Sequence, residues 1–264
     1  MGESVTVEIF PGEKRGLDIG VSSVLGTRSN QASGKRALAV VCDGMGGLEA
    51  GELASKTAAE SLAEAWFEHE DIEDIPEFLK KQALEADEKV FSQKNESGES
   101  IEAGTTIAAV IVRENELYWL SVGDSKIYII RGEEILSVCQ EHNYRMVLDE
   151  RLGRGEITPE DYAAQEYKAG ALVSYLGMGN LSLMDVNRRP FFLEDHDIVL
   201  LCSDGLYRSL TEKKILSLVR QNRESMKEAA KALTRAALEE KRQGQDNTSV
   251  VVLRYCEKGT EECG

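Results

Sequence analysis

Four aspartates stand at the ends of apolar runs, each beside Gly or Asn. They are Asp43 in Val40-Val41-Cys42-Asp43-Gly44-Met45-Gly46-Gly47, Asp124 in Val122-Gly123-Asp124-Ser125, Asp204 in Leu200-Leu201-Cys202-Ser203-Asp204-Gly205 and Asp246 in Gln245-Asp246-Asn247-Thr248. Carboxylates are hard oxygen donors of the kind Mg²⁺ and Mn²⁺ prefer, and several in one site repel unless cations neutralise them. An Asp-Gly on its own is ordinarily a turn. Four of them at the ends of strands can converge on one sheet edge, and the chemistry the pattern points to is a binuclear Mg²⁺ or Mn²⁺ site. The glycines after Asp43 let the backbone come close enough for a carbonyl oxygen to join the carboxylate as a ligand.

The elements that must position these residues are legible as apolar runs bounded by turn residues. Residues 37–42, 106–112, 117–122, 127–130, 198–202 and 249–253 read as strands. After the first of them, Leu53, Thr57, Ala58, Leu62, Ala65 and Trp66 recur at helical spacing, followed by a second helix with Phe78, Leu79, Leu84, Val90 and Phe91, opened by Asp74 and Pro76. Ser225-Met226-Lys227-Glu228 has the Ser-x-x-Glu pattern of a capping box, and its helix runs through Leu233 and Leu238 to a break at Gly244. The order is mixed, with consecutive antiparallel strands, so an α+β layered domain fits better than a regular β-α-β repeat. The polar stretch 95–102 and the charged stretch 141–168 read as exposed insertions, the second a candidate flap beside a site.

Composition narrows the function classes. With 264 residues the chain can bury a full core. Lys+Arg 31 against Asp+Glu 47 gives a net charge of −16, which opposes binding to nucleic acid or to an anionic membrane surface. The apolar runs fall far short of the roughly 20 residues a spanning helix needs, and the first ten residues lack a signal-peptide pattern. The 5 cysteines are odd in number and widely spaced, suggesting neither a disulfide framework nor a zinc ribbon, and a reducing, cytoplasmic setting fits. His69, His142 and His196 have no metal-ligand spacing and receive no site role, and Trp66 and Trp119 read as core.

The strings Asp43-Gly44-Met45-Gly46-Gly47, Gly104-Thr105-Thr106, Gly123-Asp124-Ser125-Lys126, Ser203-Asp204-Gly205-Leu206 and Asp246-Asn247, in this order, resemble the metal-dependent protein phosphatase 2C family. The resemblance spans about residues 18–254 and is to the bacterial type, with Met45 where eukaryotic relatives carry a His. It implies a single catalytic domain over 1–264, a four-layer α-β-β-α sandwich of two antiparallel sheets flanked by helices, with a flap insertion around 141–172. It implies two core Mn²⁺ or Mg²⁺ ions, with Asp43 bridging them, the Gly44 carbonyl on one, and Asp204 and Asp246 completing the other. Asp124 with Asp204 would hold a weaker third ion. The implied reaction is hydrolysis of phosphoserine or phosphothreonine in proteins by a metal-bridging hydroxide, without a phospho-enzyme. The implied partners are a phosphorylated protein substrate and its cognate kinase.

Arg28, in Gly26-Thr27-Arg28-Ser29-Asn30-Gln31-Ala32, matches the family's phosphate-gripping Arg, although a lone Arg in a loop is ordinarily a solvated charge. Two positions depart from the family pattern. Ala32 stands where the family has Asp, a carboxylate that orders metal-bound water, and Lys126 replaces an Arg. Loss of such an outer carboxylate typically costs 10–100-fold in metal affinity or activity. The alternative functions are therefore a catalytically weak or inactive phosphatase-like regulatory or binding module, and a phosphatase for a non-protein phosphate ester.

Overall fold

The structure, a computed structural model, describes residues 3–23, 26–45, 48–69, 71–95, 97–240 and 247–257, with side chains from residue 36 on, apart from 48 and 49. Two long strands, β1 (Glu3–Ser23) and β2 (Gly26–Met45), lead into helices α1 (Leu48–Glu68) and α2 (Ile75–Phe91). A run of strands follows: β3 (Gly104–Thr105), β4 (Ile107–Arg113), β5 (Glu116–Val122), β6 (Lys126–Arg131) and β7 (Glu134–Ser137). Helices α3 (Tyr144–Gly153) and α4 (Pro159–Gln165) precede β8 (Asp185–Val186), β9 (Phe191–Phe192) and β10 (Ile198–Cys202). The chain closes with α5 (Asp204–Ser209), α6 (Glu212–Gln221), α7 (Met226–Glu239) and β11 (Val250–Cys256).

Every strand pairing is antiparallel, along the path β7-β6-β10-β11-β1-β2-β4-β5-β8. The long β1–β2 hairpin serves both layers. Residues 16–22 of β1 pair with β11, whereas residues 36–41 of β2 pair with β4, and the register of the hairpin shifts around Pro11 between those two halves. One sheet thus carries β6, β10 and β11, and the other β4 and β5.

Alternation along each strand then sorts side chains into three cores. In β4, Ala108, Val110 and Val112 face inward against Ile127, Ile129, Val199, Leu201, Val251 and Leu253 of the opposite sheet. Ile107, Ala109 and Ile111 face outward beneath α1 and α2, packing with Leu62, Trp66, Leu79 and Val90. On the far side Tyr128, Leu200, Cys202 and Val252 meet Leu206, Ile215, Val219 and Leu233 of α5, α6 and α7. Strands buried on both faces have no polar side to show, which is why they read as unbroken apolar runs. The four-layer α-β-β-α sandwich is the architecture of this chain.

The helix starts follow local chemistry. The Asp74 side chain accepts the Glu77 N–H and Pro76 sits in the first turn of α2, and the Ser225 side chain accepts the Glu228 N–H at the start of α7, both at the expected places. Helix α6, capped by Thr211, was not among the expected elements. Within 141–172 lie α3, capped by Asn143, and α4, opened by a reciprocal Thr158/Asp161 capping box. Among the described residues no helix is long and apolar enough to cross a membrane. Cys42, Cys139 and Cys202 are free, and Cys256 at the end of β11 is disulfide-bonded.

Candidate metal centre and active site

The strand ends that carry the aspartates meet through backbone and hydroxyl bonds. Asp43, at the end of β2, donates its N–H to Thr106 Oγ1 at 3.1 Å. Its carbonyl accepts the Thr106 N–H at 2.9 Å and the Thr105 hydroxyl at 3.0 Å. The Thr106 hydroxyl lies 2.7 Å from that of Ser125, next to Asp124. Gly123 makes this approach possible, since its φ is +97° and a Cβ there would come within 2.6 Å of Thr106 Cγ2. His142, buried behind the turn, accepts the Gly123 N–H on its ring Nδ1 at 3.2 Å, and its backbone N–H donates to the Gly123 carbonyl at 2.8 Å. Burial pushes its pKa below the ordinary value, which favours the neutral ring that can accept this bond.

The second half of the site forms where β10 runs into α5. Ser203 donates its N–H to the Ser249 carbonyl at 3.1 Å and accepts the Ser249 N–H on its hydroxyl at 3.0 Å, tying Asp204 to the segment that follows Asp246. Gly205 is packed so closely there that a Cβ would overlap the Asn247 carbonyl and lie 2.7 Å from Thr248 Oγ1. Gly205→Ala is therefore expected to destabilise the fold by about 1–3 kcal/mol, read as a melting temperature lower by several degrees. An unchanged melting curve would show that this junction yields without cost.

Asp124 and Asp204 converge on one cation. Arg208 reaches Asp124 Oδ2 with Nη2 at 3.0 Å and Asp204 Oδ2 with Nη1 at 2.9 Å. Burial raises the Asp124 pKa above the usual carboxylate value, with Arg208 pulling it down and Glu141 pushing it up. Tyr207 donates its hydroxyl to the Asp124 carbonyl at 3.0 Å, and the Lys126 ammonium sits 4.1 Å from the centroid of its ring. Lys126 is also 2.7 Å from Glu141 Oε1, so this residue is committed to α5 and to the 141–172 segment.

The sequence-predicted residues fall into three groups. Asp43, Gly44, Asp124 and Asp204 lie on adjoining strand ends, bonded through Thr105, Thr106, Ser125 and Arg208. Arg28 and Ala32 lie on β2 opposite Val21 and Leu17, their side chains outside the described part, and Asp246, Gly46 and Gly47 lie outside the described residues. Among the described residues no three Asp, Glu, His or Cys groups gather into a metal-binding cluster. His69 bonds the Ala65 carbonyl and His196 lies 3.4 Å from Asp195, both away from these strand ends. The residues that sequence reading missed are His142, Tyr207 and Arg208. Arg208 had a signal, its spacing of one helical turn from Asp204.

The profile of the protein phosphatase 2C family matches residues 9–146 and 186–247. The chain belongs to that family. The matched stretches flank 147–185, which holds most of α3 and all of α4. Among curated relatives, the serine/threonine phosphatase stp of Listeria innocua is 28% identical over 222 residues, 83% of this chain and 84% of the relative. The structure of the S. agalactiae serine/threonine phosphatase superposes with a TM-score of 0.71 at 25% identity, covering 91% of this chain and all of that one. The catalytic domain of the serine/threonine protein phosphatase PstP, solved with two manganese ions, shares the fold with a TM-score of 0.66 at 24% identity, over 97% of this chain and 99% of that one. In this phosphatase 2C chain the Asp43 and Asp204 carboxylates and the Gly44 carbonyl are oxygen donors of the kind a hard divalent cation takes.

Proposed function

We propose that this chain is a metal-dependent phosphatase that hydrolyses phosphoserine and phosphothreonine in proteins. The observation that carries the reading is the meeting of the Asp43, Thr105–Thr106, Gly123–Asp124 and Ser203–Asp204 strand ends at one place in a phosphatase 2C sandwich. In this reading Asp43, the Gly44 carbonyl, Asp204 and Asp246 hold two Mn²⁺ or Mg²⁺ ions. When bound, such ions neutralise charge on the phosphoryl group and make water a competent nucleophile near neutral pH. Arg28 supplies a forked donor to phosphate oxygens. Thr106 and Thr105 hold the Asp43 backbone from both sides, which fixes the direction of its carboxylate. The reading carries with it a kinase that makes the substrate and a cytoplasmic setting.

The test is phosphate release from a phosphothreonine peptide by the purified chain, with Mn²⁺ and then with a chelator. Release that needs Mn²⁺ and falls to background with chelator is the expected result. Release indifferent to the chelator, or none on any phosphopeptide with Mn²⁺ present, would overturn it.

A further inference from the structure

The geometry points to Arg208 as a built-in cation that closes the Asp124–Asp204 pair to a divalent metal, an inference that rests on the metal-dependent reading above. The two carboxylates come from different loops, one between β5 and β6 and the other where β10 enters α5. Both are buried, with 6% and 9% of their side chains exposed, whereas the Arg208 side chain is 52% exposed. The guanidinium therefore reaches in from the solvent side and gives one terminal nitrogen to each acid, at 3.0 and 2.9 Å.

The arrangement is organised in advance. Arg208 follows Asp204 by one turn of α5, so the acid stands N-terminal to the base on the same helix face, the favourable order. Its neighbour Tyr207 anchors the helix to the Asp124 carbonyl. The guanidinium is planar, always charged and cannot release a proton to make way. A divalent cation using these carboxylate oxygens would have to displace Arg208 or sit against its charge at a few ångströms, where the repulsion is large. The charge that this pair of acids requires is supplied by the chain, and the metals of the enzyme are left to the other ligands, Asp43, Gly44 and Asp246 with the remaining oxygen of Asp204.

Calorimetric titration of the full chain with Mn²⁺ tests this, comparing wild type, Arg208→Ala, Asp124→Asn and the double variant. Arg208→Ala is expected to bind one more Mn²⁺ per chain than wild type, and adding Asp124→Asn to it should remove that extra ion. In the wild-type background Asp124→Asn should leave the Mn²⁺ count unchanged, since Arg208 already occupies its oxygen. Equal counts in wild type and Arg208→Ala would overturn the inference. So would a count that Asp124→Asn lowers when Arg208 is present, a measurement that does not depend on how well the Arg208 variant folds. Absence of Mn²⁺ binding in every protein would overturn the metal-dependent reading itself and this inference with it.

Discussion

Asp204→Asn is expected to lower Mn²⁺-dependent phosphate release by roughly 10³-fold or more, with the folded circular dichroism spectrum retained. The substitution keeps the shape of a buried side chain and removes its charge. A bound cation supplies several kcal/mol of charge stabilisation to the transition state, and about 4 kcal/mol corresponds to three orders of magnitude in rate. The fold should survive because Arg208, half exposed, keeps Asp124 as a partner and can turn its freed nitrogen to water. Turnover is measured on a phosphothreonine peptide across Mn²⁺ concentrations. A variant as fast as wild type at any of them would remove Asp204 from the chemistry.

Asp87→Ala should produce the largest loss of stability, about 3–5 kcal/mol, seen as a fall in melting temperature of roughly ten degrees. Asp87 lies on α2 and is 3% exposed. Its Oδ1 accepts the N–H groups of Gly177, Met178 and Gly179 at 2.7, 2.9 and 3.2 Å, and its Oδ2 accepts that of Leu181 at 3.1 Å. Removing the carboxylate leaves four backbone donors in a tight loop without their acceptor. The consequence reaches the site. Leu176, at the start of that loop, exchanges two backbone bonds with Thr105 at 3.0 and 2.9 Å, and Thr105 in turn holds the Asp43 carbonyl. Phosphatase activity should therefore fall at temperatures where the variant is still largely folded. A melting temperature within two or three degrees of wild type would mean that water or a shifted loop satisfies these donors.

The doubly buried strands and the aspartates at their ends were readable from residue types alone, because continuous apolar runs and adjacent glycines are local signals. The strand over residues 3–23 was not expected, although Val5, Val7 and Ile9 and then Leu17, Ile19 and Val21 alternate with polar residues or Gly at a strand's period; these runs are short, are separated by Pro11 and Gly12, and the partners that define the strand lie in β2 and β11. Asp87 carried no signal either. A single Asp on a helix reads as solvated surface, and its four partners are some 90 residues further on. His142 looked like an ordinary packing residue and does pack, but against the turn that presents Asp124.

Chemistry of the site follows from side-chain types in order along the chain: hard oxygen donors, a forked cation, small residues beside them. Which charges neutralise which depends on distances between residues far apart in sequence, and only folding sets those. Arg208 illustrates the division, since helical spacing pairs it with Asp204, while its bond to Asp124, 84 residues away, exists only because the β5–β6 turn and the start of α5 arrive at the same edge of the sandwich.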